Sequence, residues 1–182
     1  DSEEKIVVVG VVSGADNDFG VLRYNSNGSL DITFNPGGMF PPYIEGILTT
    51  SFGTSDYGYG VAIQSNGKIV AAGRANMGDI DFGVARYNFN GSPDISFDSD
   101  GLVTTDFSGS GSSDTNYAVA TAGDKIIVAG VTDVNGNSDF GVARYNADGS
   151  LDASFNSGGT VVTPVSASGA DTARAVAIQS EC

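Results

Sequence analysis

Apolar residues along this chain come in short bursts separated by Gly, Asn, Asp and Ser, and the longest stretch without glycine is 13 residues, Ala170 to Cys182. Helices of ordinary length do not fit between such punctuation, so the pattern predicts an all-β chain. Ile6-Val7-Val8-Val9 are apolar at successive positions. Side chains on a strand alternate between faces, so this strand is expected to be covered on both sides by neighbouring layers. Val61 to Gln64, Ser65-Asn66-Gly67 and Lys68 to Val70 read as strand, Asn-Gly turn and strand, a hairpin signature.

The bursts recur. Lys-Ile-(Val/Ile)-x-x-Gly begins at Lys5, Lys68 and Lys125, and Asp-Phe-Gly-Val-x-Arg-Tyr-Asn begins at Asp18, Asp81 and Asp139. An Asx-Gly-Ser turn follows at Asn27, Asn90 and Asp148, leading to Phe34, Phe97 and Phe155, always 16 residues after the first Asp. A segment of Ala-Val-Ala-Ile-Gln type precedes the Lys motif at 59–65, again more weakly at 117–121, and recurs at 174–180. Each unit therefore offers four short strands, the last expected around Leu-Asp-x-Ser-Phe. Four antiparallel strands stacked on similar neighbours make a β-propeller blade, with the three-unit β-trefoil as the alternative fold. The chain is read as one repeat domain, 1–182. Its units are approximately 59–97, 117–155, and 5–34 completed by 173–180 through pairing of the two end strands. Joining the ends gives a Phe155-to-Lys5 gap of 32 residues, between the 34 and 28 of the internal gaps.

The order Gly-Lys-Ile-Val-x-Ala-Gly, Asp-Phe-Gly-Val-Ala-Arg-Tyr-Asn, Asx-Gly-Ser-Leu-Asp, Ser-Phe resembles the Delta-60 repeat of bacterial and archaeal surface proteins. The resemblance covers nearly the whole chain. It implies a β-propeller and a secreted or cell-surface location, and it supplies no catalytic residue. The three repeats here are fewer than such proteins usually carry, and Met39 to Gly46 stretch the middle of the first unit.

Composition narrows the chemistry. With no His and one Cys, Cys182, the chain has no imidazole proton shuttle, no Ser-His-Asp arrangement and no internal disulfide, so a non-catalytic role is expected. A net charge of -14, from 22 acidic and 8 basic residues, repels nucleic acid. No apolar run reaches the roughly 20 residues of a membrane helix, and Asp1 to Glu4 do not read as a signal peptide.

Six basic residues sit at repeat positions, Lys5, Lys68, Lys125, Arg23, Arg86 and Arg144; Arg74 and Arg174 do not. The repeat arginines are expected to pair with the repeat acids Asp18, Asp81 and Asp139, or with Asp31, bracing blade on blade. Tyr24, Tyr87 and Tyr145, on the opposite strand face, are expected in the core. The Asx-Gly turns at Asn27, Asn90 and Asp148 suit hairpins better than calcium loops. Asp56, Asp114 and Asp171 precede the presumed innermost strands and are the candidate Ca²⁺ ligands, the sole cofactor considered. Because three blades do not close a ring, the expected partner is a second copy, giving a six-bladed dimer or a fibre by exchange of the terminal strand. Glycan or cation recognition by the repeated loops is the alternative function.

Overall fold

In the computed structural model, the described residues are 4–37, 44–107, 109, 111–134, 136–166 and 169–179. Their strands form three antiparallel meanders. The first sheet is β1 (Ile6–Ser13), β2 (Asn17–Tyr24) and β3 (Ile47–Thr50). The second is β4 (Tyr57–Ile63), β5 (Ile69–Asn76), β6 (Ile80–Tyr87) and β7 (Leu102–Thr105). The third is β8 (Thr115–Ala122), β9 (Lys125–Thr132), β10 (Asp139–Tyr145) and β11 (Thr160–Thr163). Each repeat builds its own sheet instead of lending hairpins to a shared barrel, which is the blade arrangement of a propeller and not a trefoil. No helix among the described residues is long and apolar enough to cross a membrane.

Successive apolar positions on the second strand of a blade serve two cores. Val70 and Ala72 face blade 3, packing with Phe82, Val84, Ile126 and Val128, while Ile69 and Ala71 face blade 1 with Phe19, Val21 and Leu48. The repeat tyrosines add a polar tie across each junction. Tyr87 Oη donates to Thr50 Oγ1 at 2.7 Å, and Tyr145 Oη lies 2.7 Å from Thr105 Oγ1. Burial pushes both phenols above their ordinary pKa. Tyr24, in blade 1, is half-buried.

Two expectations are corrected. The Leu-Asp-x-Ser-Phe segment is a turn attached by one bridge, Tyr24 to Leu30 in blade 1, Tyr87 to Pro93 and Tyr145 to Leu151 in the others. Asp31 Oδ1 accepts from both the backbone N and Oγ1 of Thr33, folding the chain away from extension. The fourth strand of the blade is the later run beginning at Ile47, Leu102 or Thr160, so the units extend to 50, 105 and 163. Second, within this chain the segment 171–179 does not complete the blade of β1, which among the described residues pairs with β2 alone. It lies against blade 3, with Ala173 N donating to Gly130 O at 3.3 Å. Ser180 and Cys182 lie outside the described residues, as do Met39 to Tyr43 of the first-unit insertion.

Candidate functional site

The most repeated polar constellation is a clamp. Arg23 Nε donates to Asp31 Oδ2 at 2.7 Å, Arg86 Nε to Asp94 Oδ2 at 2.6 Å and Arg144 Nε to Asp152 Oδ2 at 2.8 Å. The repeat lysine joins the same oxygen, Lys5 at 3.5 Å, Lys68 at 2.6 Å and Lys125 at 2.9 Å. Each arginine also lies over the phenylalanine that ends the motif, Phe34 at 4.8 Å, Phe97 at 4.5 Å and Phe155 at 4.7 Å. The partner acid is thus Asp31, Asp94 or Asp152, and not Asp18, Asp81 or Asp139. Asp18 precedes Arg23 by five residues on one strand, an odd separation that puts the two side chains on opposite faces, roughly 17 Å apart along the strand. Asp31 is instead brought alongside by the turn, its backbone N bonding Arg23 O at 2.9 Å.

Burial alone would push the Asp31 carboxyl up, but hydrogen bonds from Thr33 and Arg23 and the Arg23 charge outweigh it and hold its pKa at about 2. Burial likewise opposes Lys68, Ser96 and Arg86 at Asp94, which also comes to about 2. Asp152 is held well below the carboxylate range by Lys125 and Ser154 first, with burial opposing. All three carboxylates are held in the ionised form by the basic and hydroxyl groups around them.

The acids ahead of the inner strands staple loops. Asp56 Oδ2 accepts from Phe52 N at 2.6 Å and Gly53 N at 3.0 Å, while its Oδ1 accepts from Asn76 N at 2.8 Å. Asp114 accepts from Phe107 N at 3.0 Å, and Asp171 from Ser166 N at 2.8 Å. Asp56 and Asp171 join no acidic cluster among the described residues. Asp114 does, with Asp81 and Asp106, one carboxylate oxygen of each lying within 4.8 Å of the others. Burial, then the charges of Asp106, Asp114 and Asp79, raise the pKa of Asp81. This all-oxygen set has the chemistry of a Ca²⁺ or Mg²⁺ ligand group. Sequence reasoning missed it because Asp106 has no acidic counterpart, its repeat positions being Ser51 and Pro164.

The same backbone bond anchors every inner strand. Asp56 N donates to Asn17 O, Asp114 N to Ile80 O and Asp171 N to Ser138 O, each at 2.7 Å. Segment 171–179 is therefore seated where the first strand of a further blade belongs, and no strand pairs with it among the described residues. At the other end of the stack, no strand among the described residues stands beside β1 as β4 stands beside β5 and β8 beside β9.

No curated protein matches the chain. The family model described as a domain of unknown function (DUF5122) beta-propeller matches residues 5–34, 64–97 and 124–155, which are the Lys strand, the Asp-Phe-Gly strand and the clamp turn of each blade. With more than half of its residues matched and its three sheets stacked as blades, the chain belongs to this beta-propeller family.

Proposed function

We propose that the protein is a non-catalytic, secreted or surface-exposed propeller module that assembles with further copies of itself, segment 171–179 of one copy pairing with β1 of the next. The observation that carries this reading is the mismatch between equivalent strands. Ile69 is 2% exposed and its counterpart Ile6 is 52% exposed, because blade 2 is covered on both faces and blade 1 on one. A second copy offers both missing parts: an inner strand already in position and the front face of blade 3. Such a contact joins unlike surfaces, so two copies close a ring of six blades or many copies extend into a fibre. The resemblance to surface-protein repeats supports the location, and the absence of histidine together with fully engaged clamp acids supports a role without catalysis.

Light scattering on the purified chain tests the assembly. A mass near twice the 18.5 kDa of one chain, or polydisperse growth, is expected, and removal of residues 173–182 is expected to return a monomer. A full-length chain that stays monomeric at about 100 μM, or a truncated chain that still assembles, overturns the reading.

A further inference from the structure

Two of the eight basic residues depart from the repeat, and each lies over an end of one row of tyrosines. The register of the inner strands shifts between Gly58 and Gly60 and again between Asn116 and Ala118, leaving Tyr59 and Tyr117 as the extra residues of two β-bulges. Each bulge faces a glycine on the next strand. A Cβ at Gly73 would stand 1.9 Å from Tyr57 O, and one at Gly130 2.0 Å from Thr115 O, so the bulge and the glycine require each other. Bulges re-aim side chains. Here they aim two tyrosines at each other, ring centroids 5.2 Å apart, on strands β4 and β8 that lie side by side, with Gly60 against Val119.

The same repeat position in segment 171–179 is Arg174, and its guanidinium lies 4.2 Å from the Tyr117 ring centroid. At the other end, Arg74 pairs in register with Tyr57 and lies 5.1 Å from that ring, which stacks on Tyr59 at 6.4 Å. Arg74 stands where the other blades have Val11 and Val131. The result is a continuous ladder, Arg74, Tyr57, Tyr59, Tyr117, Arg174, running across two blades and the following strand. Both guanidinium charges act on the Tyr59 hydroxyl, lowering a pKa that burial first and Tyr117 next raise.

Neither arginine has a carboxylate partner among the described residues, whereas the other six basic residues are all held in Asp clamps. The Nε of Arg74 is buried and has no acceptor. A charged donor left without an acceptor is costly, and in a chain of net charge -14 two guanidinium groups without a carboxylate, one at each end of a row of tyrosines, mark a place suited to anionic groups. Tyr59, 43% exposed, adds a ring edge and a hydroxyl, the combination that suits a sugar's C–H surface and its hydroxyls. The overall negative charge disfavours a densely charged polyanion.

We propose that Arg74, Tyr59, Tyr117 and Arg174 form a binding site for an oligouronate, a chain of carboxylate-bearing sugars, with one guanidinium group at each end of the tyrosine row holding a carboxylate and the tyrosines the rings. The site lies within one chain and stands whether or not copies assemble. Titration of the full chain with trigalacturonate, followed by calorimetry and by the Nε–H resonances of Arg74 and Arg174, tests it. Saturable binding that moves both resonances is expected, with at least about tenfold weaker binding of the methyl-esterified trisaccharide and of acetate. Arg174→Gln, at an exposed position, and Arg74→Gln, checked for an unchanged melting temperature, are each expected to weaken binding about tenfold. Absence of binding, equal binding of the ester, equal binding of acetate, or wild-type binding by Arg174→Gln overturns the site. Assembly measured in the same samples is expected to be indifferent to these substitutions, which separates this test from that of strand exchange.

Discussion

Blade 2 and blade 1 are written in nearly the same residues yet differ in what surrounds them. In blade 2 the Lys-motif strand has a strand on each side and a blade on each face; in blade 1 it has one of each. Val8 is 43% exposed where its counterpart Ala71 is fully buried. The clamp shows the same gradient from the other end of the stack. The Arg86 and Asp94 side chains are almost inaccessible, whereas blade 3 leaves Arg144 and Lys125 partly in water. One repeat thus yields different energies because its neighbours, not its own residues, set how much water is excluded.

The sharpest way to break this comparison is through the clamp. Asp94→Asn leaves the buried Arg86 without its counter-ion and is expected to cost about 3 to 5 kcal/mol of unfolding free energy in denaturant melts. Asp152→Asn, with solvated partners, is expected to cost about 1 kcal/mol or less, and equal losses would abolish the distinction. Acid sharpens the same point. Asp31 and Asp94 have folded pKa values of about 2, below those of the unfolded chain, so their stabilisation is complete above pH about 4 and is lost as pH falls toward 2. Asp94→Asn is expected to flatten the wild-type loss across that window.

A somewhat smaller contrast concerns packing. Ile69→Ala is expected to destabilise by about 2 to 4 kcal/mol, and Ile6→Ala by under about 0.5 kcal/mol when measured on the monomer produced by removing 173–182. A similar cost at both positions would mean that the outer face of blade 1 is covered even in the monomer. The smallest effect is expected at the acidic corner. Asp81 is harder to ionise in the folded chain than in the unfolded one, so its charge lowers stability once pH exceeds its unfolded value. Asp81→Asn in EDTA is expected to raise stability slightly at pH 7 and to have no effect near pH 3; a loss at pH 7 would overturn that sign.

The sequence showed the blades because their strands repeat at the level of residue type. Lys5, Lys68 and Lys125, with the Asp-Phe-Gly-Val motifs, mark β1 and β2 of the first sheet and the two central strands of the other two. The outer strand was hidden for a physical reason: Gly46-Ile47-Leu48-Thr49-Thr50 and Gly101-Leu102-Val103-Thr104-Thr105 are alike, but the insertion after Phe34 removes their common spacing. The clamp was half legible, since parity along β2 excludes Asp18 while the reach of Asp31 depends on how the turn closes. The tyrosine and arginine ladder was not legible at all. Its members come from β4, β5, β8 and segment 171–179, and only bulges that shift the register bring them together.

Those bulges separate shape from content. The backbone at positions 59 and 117 is dictated by glycines on adjoining strands at Gly73 and Gly130 and by the anchoring aspartates, none of which touches on what the bulged side chain is. Blades 2 and 3 therefore each present an addressable slot, filled here by tyrosine, that can be rewritten without reshaping the scaffold. A protein made of copies of one blade can in this way spell a ligand specificity one letter at a time.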